Sequence, residues 1–193
     1  MTSMKAAILG GTFNPPHWGH LFLAEEVRIG LGYDAVIFLP ANLPAHKEVG
    51  GSVGAADRWE MLQAALGDWP YFRADASEIE RGGITYTVET VPLLVRKHGI
   101  QGRPGFILGD DLVDGFADWK EAGRLAEMVD LIVAHRKHTE RRPFGFEHRY
   151  IDNLLLPISS TDIRRRIRQG AAVRFLVPEA VWSYISEHGL YRG

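Results

Sequence analysis

Short apolar runs alternate with segments of helical pattern through the first 135 residues of this 193-residue chain. Five runs predict buried strands, at residues 5–9, 35–39, 72–74, 105–109 and 130–134. Between them, apolar side chains recur at helical spacing in residues 17–30, 57–66 and 87–98. Strands that alternate with helices pair in parallel, and the helices cover both faces of the sheet. We therefore predict an α/β fold with a parallel sheet flanked by helices.

The rest of the chain predicts a small C-terminal helical portion and several connections. Helical patterns recur at residues 160–169 and 179–188. Further short strands are predicted at residues 78–79 and 153–156, and loops at 41–54 and 136–149. Thr87 is the expected N-cap of its helix, and Pro92 is expected to shift the start of that helix or to bend it. The length favours one domain, residues 1–193.

Composition excludes several classes of protein. Hydrophobic residues make up 46% of the chain, and the net charge is −2 with neutral histidines, so a general nucleic-acid binder is not expected. The absence of cysteine excludes disulfides, zinc–thiolate sites and thiol nucleophiles. The N-terminus lacks a signal-peptide pattern and no apolar stretch reaches 18 residues, so we expect a cytoplasmic protein that does not enter a membrane. Assembly into a homo-oligomer is compatible with these properties.

The segment G-G-T-F-N-P-P-H-W-G-H, residues 10–20, follows the first predicted strand. Its two glycines let the backbone turn and approach a ligand closely. A helix begins near His17, and its free N–H groups and dipole favour an anion. His17 and His20 share one helix face, where their rings can donate to phosphate oxygens. The segment therefore predicts an ATP triphosphate site that also includes Gly11, Thr12 and Phe13.

Two other interpretations of these histidines are open at this point. A tight strand–helix turn can carry histidines that simply face solvent, and a lone pair of histidines would favour that interpretation. A zinc site is the other, but the spacing is not the i, i+4 pair of helical zinc sites and no third ligand is near in sequence. The glycine pair, the Pro-Pro step and the preceding strand together favour the phosphate site. Gly19 leaves room there for a nucleotide's sugar or base.

A second phosphate-binding pattern, I-S-S-T-D-I-R-R-R, lies at residues 158–166. Serine and threonine before an amphipathic run are typical of a helix N-cap. Such a helix start can meet a phosphate through its N–H groups and the hydroxyls of Ser159 and Ser160, and Arg164 offers a bidentate fork to the same anion. The alternative is a simply capped helix with a solvated basic face. Two such helix starts could clamp one triphosphate from two sides.

Two further segments bear on the second substrate. Lys47 lies in the loop after the second strand, where its ammonium could reach phosphates or remain solvated. Tyr86 and Thr87 stand at the start of a helix whose N–H groups suit a carboxylate or amide, although an N-cap beside a core tyrosine gives the same pattern.

Polar and aromatic residues follow the fourth predicted strand. Gly109 and Asp111 lie at its carboxyl end, where open α/β sheets bind ligands. Asp111 could accept from ribose hydroxyls or cap a helix. Trp119 could stack on a flat ring, although large aromatics are more often core residues.

Taken together, these segments resemble known proteins. Residues 10–20 resemble the H-x-G-H signature of a nucleotidyltransferase superfamily, and residues 159–164 resemble its S-[ST]-T-x-I-R motif. P-A-H-K at 44–47, R-G-G-I-T-Y-T at 81–87, G-D-D at 109–111 with Phe116 and Trp119, and H-G-L-Y at 188–191 are similar to the nicotinate-nucleotide adenylyltransferase family. The resemblance covers residues 5–191. It implies a Rossmann-like sheet and AMP transfer from ATP, with Mg²⁺, to nicotinate mononucleotide, which forms deamido-NAD and pyrophosphate.

Carried over position by position, the resemblance implies a role for each matching residue. The residues that bind and polarise the triphosphate are His17, His20 and Lys47. Those that hold its far side are Ser159, Ser160 and Arg164. Gly109 and Asp111 meet the adenosine ribose. The pyridine pocket consists of Tyr86, Thr87 and Trp119, and Arg136 matches an arginine that the family has after its corresponding strand. No protein metal ligand is implied.

The chain departs from the family pattern at several places. Asn14 replaces a frequent Asp, Thr85 replaces Ser, and Leu112 replaces a common Ser. Lys137 and His138 stand where the family has Pro-Gly after the arginine, so the loop beyond Arg136 differs from the family's.

Other proteins with related motifs fit less well. Pantetheine-phosphate adenylyltransferases usually have Thr at the position of His17 and are shorter. A class I aminoacyl-tRNA synthetase would need a K-M-S-K-S-type loop and bulk that binds tRNA. A non-enzymatic nucleotide sensor on this fold would bind ATP without releasing pyrophosphate. We therefore predict ATP and nicotinate mononucleotide as the partners of this chain, and neither nucleic acid nor a membrane.

Overall fold

The computed structural model describes residues 4–44, 53–136 and 140–192. The strands in these ranges are β1 (Ala6–Gly11), β2 (Ala35–Pro40), β3 (Leu43–Pro44), β4 (Phe72–Ala74), β5 (Ile84–Thr85), β6 (Gly105–Gly109), β7 (Asp130–Ala134) and β8 (His148–Ile151). The α-helices are α1 (Trp18–Leu31), α2 (Ala55–Leu66), α3 (Ser77–Arg81), α4 (Thr87–His98), α5 (Ala122–Met128), α6 (Ser160–Arg168) and α7 (Glu179–Glu187). Short 3₁₀ turns occupy Asp110–Leu112, Phe116–Asp118 and Arg174–Leu176.

Six of the strands form one parallel sheet in the order β4-β2-β1-β6-β7-β8. The chain runs outward from β1 through β2 to β4, and then returns to β6 on the other side of β1. The loops after β1 and β6 therefore diverge at the carboxyl edge of the sheet, which is where open α/β sheets bind ligands. This Rossmann-like arrangement confirms the predicted fold class. β3 and β5 form a separate parallel pair beside the sheet.

Apolar side chains cover the sheet on both faces. Leu9 and Phe38 belong to the core that includes α1 and α2, whereas Ile8 and Leu108 belong to the core that includes α4 and α5. Burying these side chains on two faces is the main stabilising term for such a layered fold. The central strands β1, β2 and β6 are consequently apolar and buried along most of their length, as the sequence pattern predicted.

The C-terminal helices pack on α2 rather than on the sheet. Ile163 of α6 and Val181 and Ile185 of α7 bury their side chains with Met61 of α2. This packing confirms the predicted helical portion. It also brings the start of α6 beside the loop between β1 and α1. Arg164 and Asn14, which meet there, are 150 residues apart in sequence.

Two predicted features of the middle of the chain are wrong. Residues 78–79 lie in α3, because Asp75 accepts from the Ser77 amide at 2.9 Å at the start of a helical turn. The helix after β5 begins at Thr87, and its N-cap is Tyr86. Pro92 lies inside α4, which still begins at Thr87, and a bend at Pro92 stays a prediction.

The predicted strand at residues 153–156 is also wrong. Asn153 bonds the backbone of His135 through its side chain, with the His135 amide donating at 2.8 Å and its carbonyl accepting at 2.9 Å. The last strand is β8. It begins within the segment predicted as a loop at 136–149 and continues two residues past it. Its sequence H-R-Y-I is polar because β8 is an edge strand. In the described ranges, no helix has the length and apolar character needed to cross a membrane.

Candidate active site

A cavity of about 660 Å³ opens at the carboxyl edge of the sheet, between the loops after β1 and β6. Ligand pockets commonly measure about 300–1,000 Å³, so the space suits a small-molecule site. The structure brings most of the sequence-predicted residues to its wall, namely Gly11, Thr12, His17, His20, Tyr86, Thr87, Gly109, Asp111, Trp119, Arg136, Ser159, Ser160 and Arg164. Phe13 is instead a core residue, with its ring 5.8 Å from that of Phe38. Lys47 lies outside the described residues.

His17 and His20 stand at the start of α1 with their rings stacked, at a centroid distance of 3.7 Å. The Nδ1 atom of His20 accepts from the His17 backbone amide at 3.2 Å. Both ring nitrogens of His17 are buried and have no hydrogen-bond partner among the described residues. A buried polar atom without a partner is costly unless a ligand supplies one. The pair is therefore arranged to receive polar atoms from the cavity.

Both imidazoles are held neutral in the ligand-free protein. Burial, with the Arg136 guanidinium as a smaller contribution, lowers the pKa of His17 to about 3. Burial, the neighbouring His17 and Arg136 hold the pKa of His20 well below its usual range. A polyanion beside the rings would oppose these effects, because an opposite charge nearby favours the protonated form. Ligand binding and protonation are thus linked at this pair.

Gly19 keeps the space beside the His17 ring open. A Cβ atom at this position would lie 3.0 Å from His17 Nδ1 and 3.1 Å from its Cε1. Either distance is tighter than ordinary van der Waals contact, so any side chain at position 19 would push the ring. The glycine of H-x-G-H is thus needed for the His17 ring to keep its position.

The loop between β1 and α1 is fixed by side chains from α6. Arg164 donates to the Asn14 carbonyl at 2.8 Å, and Ser160 donates to the Pro15 carbonyl at 2.8 Å. Ser159 is the N-cap of α6, and its hydroxyl accepts from the Asp162 amide at 3.1 Å. The second motif therefore lines the cavity, but its polar groups form hydrogen bonds with other parts of the protein.

The same loop is also held by two residues that the sequence motifs did not single out as site residues. Arg58 of α2 is buried and donates to the Thr12 carbonyl at 2.9 Å. Tyr191 is buried and donates to Asn14 Oδ1 at 2.6 Å. Burial raises the pKa of Tyr191, so its hydroxyl keeps the donated proton. The H-G-L-Y resemblance pointed to Tyr191, whereas a lone arginine in a helical pattern gave no signal for Arg58.

On the opposite wall, a buried carboxylate orders the segment before α4. Glu78 accepts from Thr85 Oγ1 at 2.8 Å and from Thr90 Oγ1 at 2.9 Å. Burial raises the pKa of Glu78, while the two hydroxyl hydrogen bonds act in the opposite direction. This network links α3, β5 and α4. It presents the start of α4, with Tyr86 and Thr87, to the cavity.

Aromatic rings form the floor beside that helix start. The ring of Trp119 packs at 5.2 Å from the Phe116 ring and at 6.1 Å from the Phe106 ring, and it also lines the cavity. The ring of Tyr86 lies under Lys120 Nζ at 4.2 Å. Trp119 thus packs on the core and also faces the cavity, and its stacking on a flat ring stays a prediction.

The remaining predicted residues lie together at the ends of β6 and β7. Arg136 Nη1 is 3.5 Å from Asp111 Oδ1, and the Arg136 amide donates to Asp110 Oδ1 at 3.1 Å. A Cβ at Gly109 would overlap the Arg136 side chain and lie 2.5 Å from Asp111 Oδ1, so a larger residue there would require the Arg136 and Asp111 side chains to move. Among the residues that the structure covers, no group of three or more His, Asp or Glu side chains could hold a metal ion.

Comparisons with known proteins agree with this geometry. Residues 8–166 match the Cytidylyltransferase-like protein family. The chain is 43% identical over 188 residues to a probable nicotinate-nucleotide adenylyltransferase of Borreliella afzelii, with 97% of each chain covered. A protein of the same name from Lactiplantibacillus plantarum is 43% identical over 190 residues, which cover 97% of this chain and 88% of that protein.

Solved structures show the same fold at lower identity. The nicotinic acid mononucleotide adenylyltransferase of Plasmodium falciparum, complexed with NaAD, matches with a TM-score of 0.76 at 17% identity and with 97% of each chain covered. A putative nicotinate-nucleotide adenylyltransferase from Vibrio parahaemolyticus matches with a TM-score of 0.72 at 20% identity, over 98% of this chain and 96% of that one. By its sequence, the chain belongs to the nicotinate-nucleotide adenylyltransferase family of cytidylyltransferase-like proteins.

Proposed function

We propose that this cavity is where the chain carries out the reaction of its family. The chain transfers AMP from ATP to nicotinate mononucleotide, and the products are deamido-NAD and pyrophosphate. The observation that carries the assignment of the site is the stacked pair His17 and His20 at a helix start, with buried ring nitrogens of His17 that lack partners among the described residues. A triphosphate would supply the missing acceptors.

The chemical step needs positioning more than proton transfer. A 5′-phosphate oxygen of the mononucleotide attacks the α-phosphorus of ATP. The new O–P bond forms as the bond from the α-phosphorus to the bridging oxygen breaks, and pyrophosphate leaves with that electron pair. The nucleophile is already an anion, so no strong general base is required. Catalysis then consists of alignment and stabilisation of charge on the leaving group.

The two histidines serve that stabilisation in this proposal. In the free protein they are neutral, and each ring can donate from one nitrogen. The bound triphosphate favours their protonation, which adds charge where the leaving group becomes more negative. Lys47, which lies outside the described residues, is proposed to assist at the same phosphates.

Mg²⁺ is the proposed metal, and it would neutralise triphosphate charge when bound. Mg²⁺ usually keeps several waters and binds substrate phosphates through few protein ligands. A cavity without a ready-made cluster of carboxylates in the described residues fits a Mg²⁺ ion that enters with ATP.

The mononucleotide is proposed to lie against the start of α4. The first N–H groups of a helix have no intrahelical partner and suit the nicotinate carboxylate. Tyr86, Thr87 and Trp119 enclose the pyridine ring, Gly109 and Asp111 meet the ATP ribose, and Arg136 contributes positive charge. A single domain, a cytoplasmic location and assembly into a homo-oligomer stay predictions from the sequence.

A pyrophosphate-release assay tests this function. The full chain is incubated with ATP, Mg²⁺ and either nicotinate or nicotinamide mononucleotide. We expect release with the nicotinate form and much slower release with the nicotinamide form, because the amide offers no negative charge to the helix start. ATP binding without release for either mononucleotide would overturn the proposal and would indicate a nucleotide sensor.

A further inference from the structure

Arg58 is a fully buried cation that donates hydrogen bonds to backbone carbonyls instead of pairing with a carboxylate. Its side chain is 1% exposed and forms no ion pair within the described ranges. Nη1 donates to the carbonyls of Thr12 at 2.9 Å and Ala41 at 2.7 Å, and Nη2 donates to that of Asn42 at 2.9 Å. Burying a guanidinium is costly, so a site that keeps one depends on the hydrogen bonds it makes.

The carbonyls that Arg58 binds belong to two different loops. Thr12 follows β1 and leads into the segment that ends at His17 and α1. Ala41 and Asn42 follow β2 and lead into β3. One guanidinium therefore ties together two loops at the carboxyl edge of the sheet. Both loops contribute to the cavity wall, through Thr12 and Ala41.

The second loop continues by direct contacts to the opposite wall. The Asn42 side-chain amide donates to the Gly83 carbonyl at 3.1 Å. β3 pairs with β5 in parallel, with Pro44 opposite Thr85. Thr85 is followed by Tyr86 and Thr87 at the start of α4. A continuous set of contacts thus joins the ATP side of the cavity, through Arg58, to the mononucleotide side.

We propose that Arg58 is a positioning residue that sets the separation between the triphosphate loop and the mononucleotide pocket. This inference rests on the function proposed above. In-line attack needs the phosphate oxygen and the α-phosphorus at one distance and angle. The first loop leads to the proposed triphosphate site, and the second contacts the segment that precedes the proposed mononucleotide site. The planar fork of arginine reaches acceptors on both loops at once. Lysine keeps the charge but offers donors from a single nitrogen, so it cannot reproduce the fork.

The alternative is that Arg58 only stabilises the fold. Replacing it would then reduce the population of folded protein but leave the kinetic constants of the folded fraction unchanged. The two possibilities separate in kinetics measured where thermal melts show each variant to be folded. Leu62, on the same helix and fully buried in the core, provides a matched control because its apolar side chain makes none of the hydrogen bonds of this network.

The experiment compares the full-length wild type with Arg58→Lys, Asn42→Ala and Leu62→Ala in pyrophosphate release, with ATP and nicotinate mononucleotide varied in turn. For Arg58→Lys we expect kcat to fall by roughly 10- to 100-fold, as for small misplacements of reactants. Leu62→Ala should lower the Tm and leave kcat within about twofold. Asn42→Ala, which loses only the contact to Gly83, should raise the KM for the mononucleotide several-fold and leave the KM for ATP unchanged.

Unchanged kinetic constants in folded Arg58→Lys would overturn the inference, as would an equal loss of kcat in Leu62→Ala. If Arg58→Lys does not fold, Asn42→Ala decides: an unchanged KM for the mononucleotide overturns the inference, and the selective rise supports it. Failure of the proposed function has a different signature, since the wild type itself would then release no pyrophosphate with nicotinate mononucleotide.

Discussion

The starts of α1 and α6 both line the cavity, but they use their polar groups differently. At α1, the ring nitrogens of His17 have no hydrogen-bond partner among the described residues. At α6, Ser159 caps its own helix, and Ser160 and Arg164 donate to the loop that leads to His17. A ligand can therefore accept hydrogen bonds from His17 without breaking contacts within the protein. The side chains of α6, in contrast, already fix the loop that precedes α1.

This difference assigns separate roles to the two helix starts that were predicted to clamp the triphosphate. The sequence motifs alone predict two helix starts that clamp one triphosphate from two sides. The geometry favours one helix start for chemistry and one for support of the first. Variants at the two helices should consequently differ in kind, with losses of turnover at α1 and losses of affinity or stability at α6.

The largest expected effect is at His20. His20→Ala should lower kcat by roughly 10²–10³-fold, as for the loss of one donor to developing negative charge. Turnover at saturating ATP measures it. His188→Ala is the matched control, because His188 is exposed and packs on Tyr184 far along the chain from the cavity segments. Turnover of His20→Ala within about twofold of wild type would remove His20 from the mechanism.

A smaller loss is expected at Gly19. Gly19→Ala places a Cβ 3.0 Å from His17 Nδ1 and should shift the ring by a few tenths of an ångström. We expect a loss of kcat of roughly tenfold, below the roughly 100-fold linked to a 1 Å misplacement. Gly30→Ala, in the same helix, meets only Ile151 at 3.5 Å and should retain kcat. Equal losses in both variants would show that helix α1, not the His17 ring, is affected.

The neutral state of His17 should appear in the pH dependence of stability. Because the folded pKa is about 3 and the usual value is 6.5, the unfolded state binds more protons between these values. Stability should therefore rise with pH through this window, by up to about 1.4 kcal/mol per pH unit from His17. Urea unfolding at several pH values measures the slope. His17→Gln should flatten it, and an unchanged slope in that variant would contradict the neutral imidazole.

The smallest effect is expected at α6. Ser160→Ala removes one hydrogen bond to Pro15 and should lower the free energy of unfolding by about 1 kcal/mol. The KM for ATP should rise a few-fold with kcat nearly unchanged. Ser186→Ala is the control, because the Ser186 hydroxyl is buried without a partner among the described residues. A fall of kcat by 100-fold in Ser160→Ala would instead indicate that the start of α6 binds the triphosphate directly.

Much of the fold and of the cavity wall could be predicted because the information is local. The buried strands are continuous apolar runs, and residues 10–20 carry the glycines and both histidines within eleven residues, directly after the first predicted strand. The role of Arg58 could not be predicted, since its acceptors are backbone carbonyls 16, 17 and 46 residues away. β8 escaped prediction because an edge strand tolerates polar residues. The use of Ser160 and Arg164 depended on a loop about 150 residues earlier in the chain.

A crystal structure of the full chain with a nonhydrolysable ATP analogue would test the difference between the two helix starts most directly. We predict phosphate oxygens within about 3 Å of ring nitrogens of both His17 and His20, with the Ser160–Pro15 and Arg164–Asn14 hydrogen bonds retained. Phosphates bound to Ser160 and Arg164 with those two bonds broken, and no phosphate at the histidines, would contradict the account.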